Sequence, residues 1–190
     1  WYVNGSLVEE GEGITTRKIV AGALGSETYV SVVAENNGET ARAELLIAPV
    51  EIDVLWEATS YTPALYKGRA LASAGSEIRA VALVRFVNRN GTTIDPKNIT
   101  YTWKINGNVI PSISGKGKTT ARIPSPELFG TNTVSLEAVS SDNTRAGNVS
   151  YAIPSFEPQL AIYQKHPLFG TLFNDALRSD VQIRENELTL

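Results

Sequence analysis

Ser112-Ile-Ser-Gly-Lys-Gly117-Lys118-Thr119 is the stretch of this chain that comes nearest to a recognisable chemistry, the cradling of phosphate by a glycine-rich loop. A loop of the form G-x-x-x-x-G-K-T needs Gly at 112, where Ser stands. It also needs a helix to follow, whose N-terminal amides face the phosphate. Residues 119–123 alternate like a strand instead, so the expectation is a plain loop that holds no nucleotide. His166 is the one histidine, and lone-histidine chemistry needs a nucleophile or a set of further metal ligands that this chain does not offer it. Its place before Pro167 reads as a turn position. The carboxylates Asp53, Glu57, Glu77, Asp95, Glu137 and Asp142 would suffice in number for a two-carboxylate glycosidase, but no spacing singles out a pair. They are expected on solvated faces. The expectation is therefore no catalytic residue and no enzyme.

The elements that would position any site are strands. In Ile99-Thr-Tyr101-Thr-Trp103-Lys-Ile105 the apolar residues occupy every second place, which puts Tyr, Trp and two Ile on one face of a strand. Asn106-Gly107 follows as a tight-turn signal, because both residues tolerate positive φ. Further strands are predicted over 28–34, 41–48, 76–86, 133–139 and 147–153, with turn clusters between them. Helical periodicity is nearly absent. The predicted fold class is all-β, with tandem antiparallel β-sandwiches and about seven strands in the complete unit.

The chain also repeats itself. Trp1-Tyr-Val-Asn4-Gly5 returns as Trp103-Lys-Ile-Asn106-Gly107, and Gly11-Glu-Gly13 returns as Gly115-Lys-Gly117. Val30-Ser-Val-Val-Ala34 matches Val134-Ser-Leu-Glu-Ala138, and Pro49 matches Pro154. In the other half of the unit, Leu55-Trp56-Glu57 aligns with Ile162-Tyr163-Gln164 and Ala70-Leu71 with Ala176-Leu177. A period of about a hundred residues is that of a domain. The predicted organisation is the later part of one module at 1–49, a complete module at 50–154 and the beginning of a further one at 155–190. The tight proline junctions predict a semi-rigid rod.

Two kinds of site survive this reading. Tyr61, Tyr66, Phe169 and Phe173 lie in corresponding irregular stretches of two copies and form a candidate contact surface, the alternative being a bulged strand that packs its own aromatics. Calcium at a module junction is the one cofactor the residues bring into view, through Asp53, Asp95, Asp142 and Asn143, although no D-x-[DN]-x-[DN]-G run exists. Otherwise no cofactor and no metal ligand is assigned.

On Trp1, Tyr101, Trp103, Asn106 and Gly107, with Gly115-x-Gly117 and the proline-terminated last strand, the chain resembles tandem PKD/Ig-like modules of bacterial exported cell-surface proteins. It is similar in particular to repeat proteins of uncultivated small-genome bacteria. Where the better-known PKD signature has an acidic turn after the Trp, Lys104-Ile-Asn-Gly-Asn108 stands here. The resemblance implies export, surface display and a role in adhesion or assembly, and it implies no catalytic residues.

Composition agrees with this class and bounds it. Hydrophobic content of 42% against 19% charge describes a chain that folds. The net charge of −3 and the scattered Lys and Arg leave no footprint for nucleic acid and no basic stripe for a membrane surface. No apolar run approaches the roughly 18 residues that a spanning helix needs. With no cysteine, disulfides and thiolate chemistry are excluded. The functional expectation is a non-enzymatic extracellular structural module of a stalk, coat or fibre, completed by strands of a longer chain or of a neighbouring subunit. An adhesin-type module for carbohydrate or surface protein, or an accessory domain of a surface hydrolase, is the alternative. The expected partners are other copies of the chain or neighbouring modules.

Overall fold

The computed structural model describes residues 1–62, 66–157 and 160–177. The described chain is nearly all strand: β1 (Tyr2–Val3), β2 (Ser6–Leu7), β3 (Thr28–Asn36), β4 (Glu39–Ile47), β5 (Glu51–Ala58), β6 (Glu77–Arg85), β7 (Ile99–Ile105), β8 (Asn108–Val109), β9 (Gly115–Lys116), β10 (Thr120–Pro124), β11 (Thr131–Ser140), β12 (Ala146–Pro154), β13 (Tyr163–His166) and β14 (Gly170–Ala176). Two single-turn 3-10 helices, Pro96–Asn98 and Pro111–Ile113, are the other regular elements. The all-β class expected from the alternation is the class observed.

The strands form a sheet in the order β2-β1-β3-β4, a second in the order β10-β6-β5, a third in the order β12-β11-β7-β8 with β9 also on β7, and the hairpin β13-β14. Each register that is resolved is antiparallel, as in β7 on β11, where Trp103 faces Leu136 and Tyr101 faces Ala138. The chain divides into two compact units. The first comprises Trp1–Leu55, Ala80–Ala121 and Thr133–Ala152, the second Trp56–Arg79, Arg122–Asn132 and Ile153–Leu190.

The period-two pattern explains the core of the first unit. Ile99, Tyr101 and Trp103 of β7 are wholly buried, and so nearly are Val134, Leu136 and Ala138 of β11. Val54, Ala80, Ala82 and Ala121 of β5, β6 and β10 are buried with them. Among the described residues of the second unit Ala58, Ala72, Ile78, Ile123 and Ile153 are the buried apolar ones. The tight turns behave as their residues require: Asn106 and Gly107 have φ of 51° and 83°, Asn4 and Gly5 of 50° and 80°.

The internal repeat recurs at the level of individual bonds. Trp103 Nε1 donates to the carbonyl of Lys118 at 3.0 Å, and Trp1 Nε1 donates to that of Ile14 at 3.2 Å. Asn106 Oδ1 accepts from the Thr133 amide at 2.8 Å, and Asn4 Oδ1 accepts from the Tyr29 amide at 2.9 Å. Ile110 donates to Trp103 O as Val8 donates to Trp1 O, both at 2.9 Å. Each pair obeys the sequence offset, so the Trp-x-x-Asn-Gly motif is a scaffold: the indole pins the loop that follows, and the Asn side chain pins the start of the next long strand.

Candidate functional site: a buried ionic joint

Only the second copy spends five residues on the connection between its two long strands, 141–145, where the first copy turns in two, Asn37-Gly38. The longer loop is built on Asp142. Its Oδ1 accepts from Ser140 Oγ at 2.6 Å, from the Thr144 amide at 3.1 Å and from Thr144 Oγ1 at 2.8 Å. These donors stabilise the carboxylate and hold its pKa at about 2. Asn143 takes the left-handed conformation, with φ of 57°. The Arg145 amide then donates to Ser140 Oγ at 3.0 Å, which turns the Arg145 side chain inward.

Arg145 is 2% exposed, so its guanidinium must find its partners inside the protein. Nε donates to Val87 O at 2.9 Å, Nη1 to Thr144 O at 2.9 Å and to Glu27 Oε1 at 3.0 Å, and Nη2 to Gly25 O at 3.4 Å. Arg89 binds the other oxygen of Glu27 and the Tyr29 hydroxyl, and that hydroxyl donates to Glu27 Oε2 at 3.2 Å. One carboxylate, 7% exposed, thus holds two guanidiniums. Hydrogen bonds from Arg89 first and Arg145 second pull the Glu27 pKa from 4.5 to about 2. The same bond raises Arg89 above its ordinary value. Gly25 makes the approach sterically feasible. Its φ is +86°, and a Cβ there would meet Val87 Cγ1 at 2.8 Å and the Asn88 carbonyl at 2.9 Å.

Every one of these residues belongs to the first compact unit. Glu27, Gly25 and Tyr29 come from the first copy of the repeat, and Val87, Arg89 and Arg145 from the second. The arrangement is a joint between copies, charged and closed.

The residues singled out in the sequence fall elsewhere. Tyr101 and Trp103 are core, Asn106 and Gly107 form the turn, and Trp1 is half-buried. Tyr61, Tyr66, Phe169 and Phe173 are exposed, at 85%, 44%, 77% and 42%. Their ring contacts are local. Phe173 meets Tyr163 edge-on at 5.5 Å and Phe169 lies 4.7 Å from His166, whose Nδ1 accepts the Leu168 amide at 3.1 Å. Arg69, in the same stretch of sequence as Tyr61 and Tyr66, stacks on Trp56 at 3.5 Å. Among the described residues no ring contact joins the tyrosines to the phenylalanines. The β13–β14 hairpin shifts register between Tyr163 and Lys165. Residues 117–119 lead into strand β10 and not into a helix.

The carboxylates are mostly engaged. Asp53 accepts from Tyr151 and from the Val54 amide, which lower its pKa in that order. Glu77 meets Arg122 and Glu137 meets Lys104, each at 3.1 Å. Glu57 is exposed on β5. Of the calcium candidates, Asp95 and Asp142 line one open cleft of about 370 Å³ with Asn88 and Asn98. Asp95 already caps Lys97 at 2.9 Å. Among the described residues no three acidic or histidine side chains converge as metal ligands.

No known protein family matches the sequence, and no curated protein matches it either. Glu27, Arg89 and Arg145 were not apparent in the sequence. A turn between the strands predicted at 133–139 and 147–153 was the legible part, whereas nothing local marks Glu27 as the partner of a residue 118 positions away.

Proposed function

We propose that this chain is a non-enzymatic structural segment of an extracellular stalk, coat or fibre, built of tandem Ig/PKD-like β-sandwich modules held at a fixed angle. The observation that carries the reading is the closed joint at Glu27 and Arg145. A linker meant to swing has no use for a buried guanidinium, whose burial is tolerable only in one geometry. A spacer that must keep its direction does. Domain-sized repeats, bond-for-bond equivalence between copies and the short junction at residues 48–50 support the same conclusion. The absence of cysteine makes the test clean. Spin labels on Thr40→Cys and Asn108→Cys, one in each copy, should give a single narrow distance distribution by pulsed electron resonance. Arg145→Ala should broaden it. A broad distribution in the otherwise unaltered chain would remove the rigid-spacer reading.

A second reading, a binding module for carbohydrate or surface protein, is favoured by Tyr61 and Tyr66. Both rings are exposed, and Arg69, close to them in sequence, stacks on Trp56. Glycan binding that is lost on Tyr61→Ala would support it.

A further inference from the structure

Asn-Gly pairs stand at residues 4–5, 37–38, 90–91 and 106–107. Such a pair is prone to attack itself, because glycine has no Cβ to keep its amide nitrogen away from the preceding carboxamide. All four asparagines are exposed, so access to water does not separate them. Nor does the backbone separate three of them. Asn4, Asn37 and Asn106 have φ of 50°, 51° and 51°, and the glycines that follow have 80°, 82° and 83°. The difference lies in what holds each side chain.

Asn4 Oδ1 accepts from the Tyr29 amide at 2.9 Å, and Asn106 Oδ1 accepts from the Thr133 amide at 2.8 Å. Asn90 Oδ1 accepts from the Thr92 amide at 3.0 Å and from Thr92 Oγ1 at 2.6 Å. The Gly91 amide, which would have to attack Asn90, itself donates to Asn88 O at 2.9 Å. Asn37 has none of these restraints: among the described residues no hydrogen bond holds its carboxamide or the Gly38 amide. The pair forms the tip between β3 and β4, where Asn36 stands opposite Glu39. The last four residues of β3 and the first eight of β4 are exposed, so little packing resists local opening of the tip.

We propose that Asn37 is a self-modification site, at which the Gly38 amide nitrogen attacks the Asn37 carboxamide carbon. Hydroxide removes the amide proton, a nitrogen–Cγ bond forms, the side-chain carbon–nitrogen bond breaks and ammonia leaves. Water then opens the cyclic imide. Opening at Cγ gives aspartate. Opening at the main-chain carbonyl gives isoaspartate, in which the backbone runs through Cβ and Cγ. Nothing is oxidised or reduced, and water is the one co-reactant. Either product adds a negative charge to a chain of net charge −3, close in sequence to Glu35 and Glu39. Isoaspartate also lengthens the backbone by one carbon, and a tight left-handed turn then no longer keeps Asn36 opposite Glu39. The corresponding loop of the second copy, 141–145, contains no Asn-Gly pair and is spared this change.

The test holds the full chain folded at mildly alkaline pH and body temperature for days, then digests it with trypsin at mildly acid pH. Cleavage after Lys and Arg puts each pair on its own peptide, 1–17, 19–42, 90–97 and 105–116, so mass spectrometry ranks all four together. Peptide 19–42 should convert first and mainly to isoaspartate. The others should lag by roughly fivefold for each hydrogen bond that must be released. In guanidinium chloride, where no fold protects any pair, the four rates should converge. Asn37→Asp keeps a turn-forming pair but has no ammonia to lose, so the mass of its peptide 19–42 should not change. A folded chain in which another pair converts as fast as Asn37 overturns the proposal, as does a peptide 19–42 that reacts only when denatured. A ranking that survives denaturation overturns it too, and a mass change that persists in Asn37→Asp would place the reaction at Asn36 instead.

Discussion

Glu27 shows how much one carboxylate can organise. It is a short-range acceptor for two arginines and a tyrosine hydroxyl, and these donors depress its pKa from 4.5 to about 2. A group with a depressed folded pKa binds protons less readily when folded than when unfolded. Its stabilisation is therefore complete above the unfolded value and is lost as pH falls toward the folded one. Asp142 behaves in the same way, and Asp53 shifts in the same direction. Thermal unfolding should accordingly be nearly independent of pH between about 8 and 5 and should fall steeply between about 4.5 and 2. Glu27→Gln should lower the melting temperature at neutral pH and flatten the acid slope. An unchanged slope in that variant, followed by circular dichroism, would show that the acid sensitivity lies elsewhere.

At the scale of elements, the turns and loops separate two uses of glycine. Gly107 ends a strand in open space, with no atom within 4 Å of an added Cβ. Gly107→Ala should cost only the left-handed backbone, about 1–2 kcal/mol. Gly25 needs the same backbone and also admits the Asn88 carbonyl to where a side chain would stand. Gly25→Ala should therefore cost more than Gly107→Ala in urea unfolding, and equal costs would mean that the joint yields easily. The strands themselves were legible in the sequence, because alternation such as that of residues 99–105 has a direct physical cause in the pleat. The Asn-Gly turns were legible for the same kind of reason. What joins the copies was not. Glu27, Val87 and Arg145 meet through tertiary packing, and period and propensity carry no information about it. Tyr101 makes the same point within a strand. Its burial was foreseeable from the pattern, but not that its hydroxyl would be enclosed without a hydrogen-bond partner, its pKa raised by burial and then by Asp95.

For the whole molecule, the longer burial of β11 than of its equivalent β3 implies uneven local stability. Amides of β7 and β11, flanked by the fully buried Trp103 and Tyr101, should exchange with solvent slowest. Amides in the half of the β3–β4 hairpin near Asn37, where side chains on both strands are exposed, should exchange much faster despite equal hydrogen bonding along the ladder. Hydrogen-exchange mass spectrometry at about 1 μM would show this difference, and comparable protection in the β3–β4 and β7–β11 pairs would overturn it.

The joint has one more consequence, which concerns mistaken identity. Neighbouring copies in a tandem chain are prone to exchange strands with one another, because each resembles what its neighbour is waiting for. At the position equivalent to Glu27 the second copy has Thr131, and at that of Gly25 it has Phe129 in a left-handed conformation with φ of 63°. Arg145 therefore finds its carboxylate in the first copy and would find none at the matching place in the second. The ion pair works as an address: it specifies which copy stands next to which, so that similar strands can share one polypeptide without being mistaken for one another.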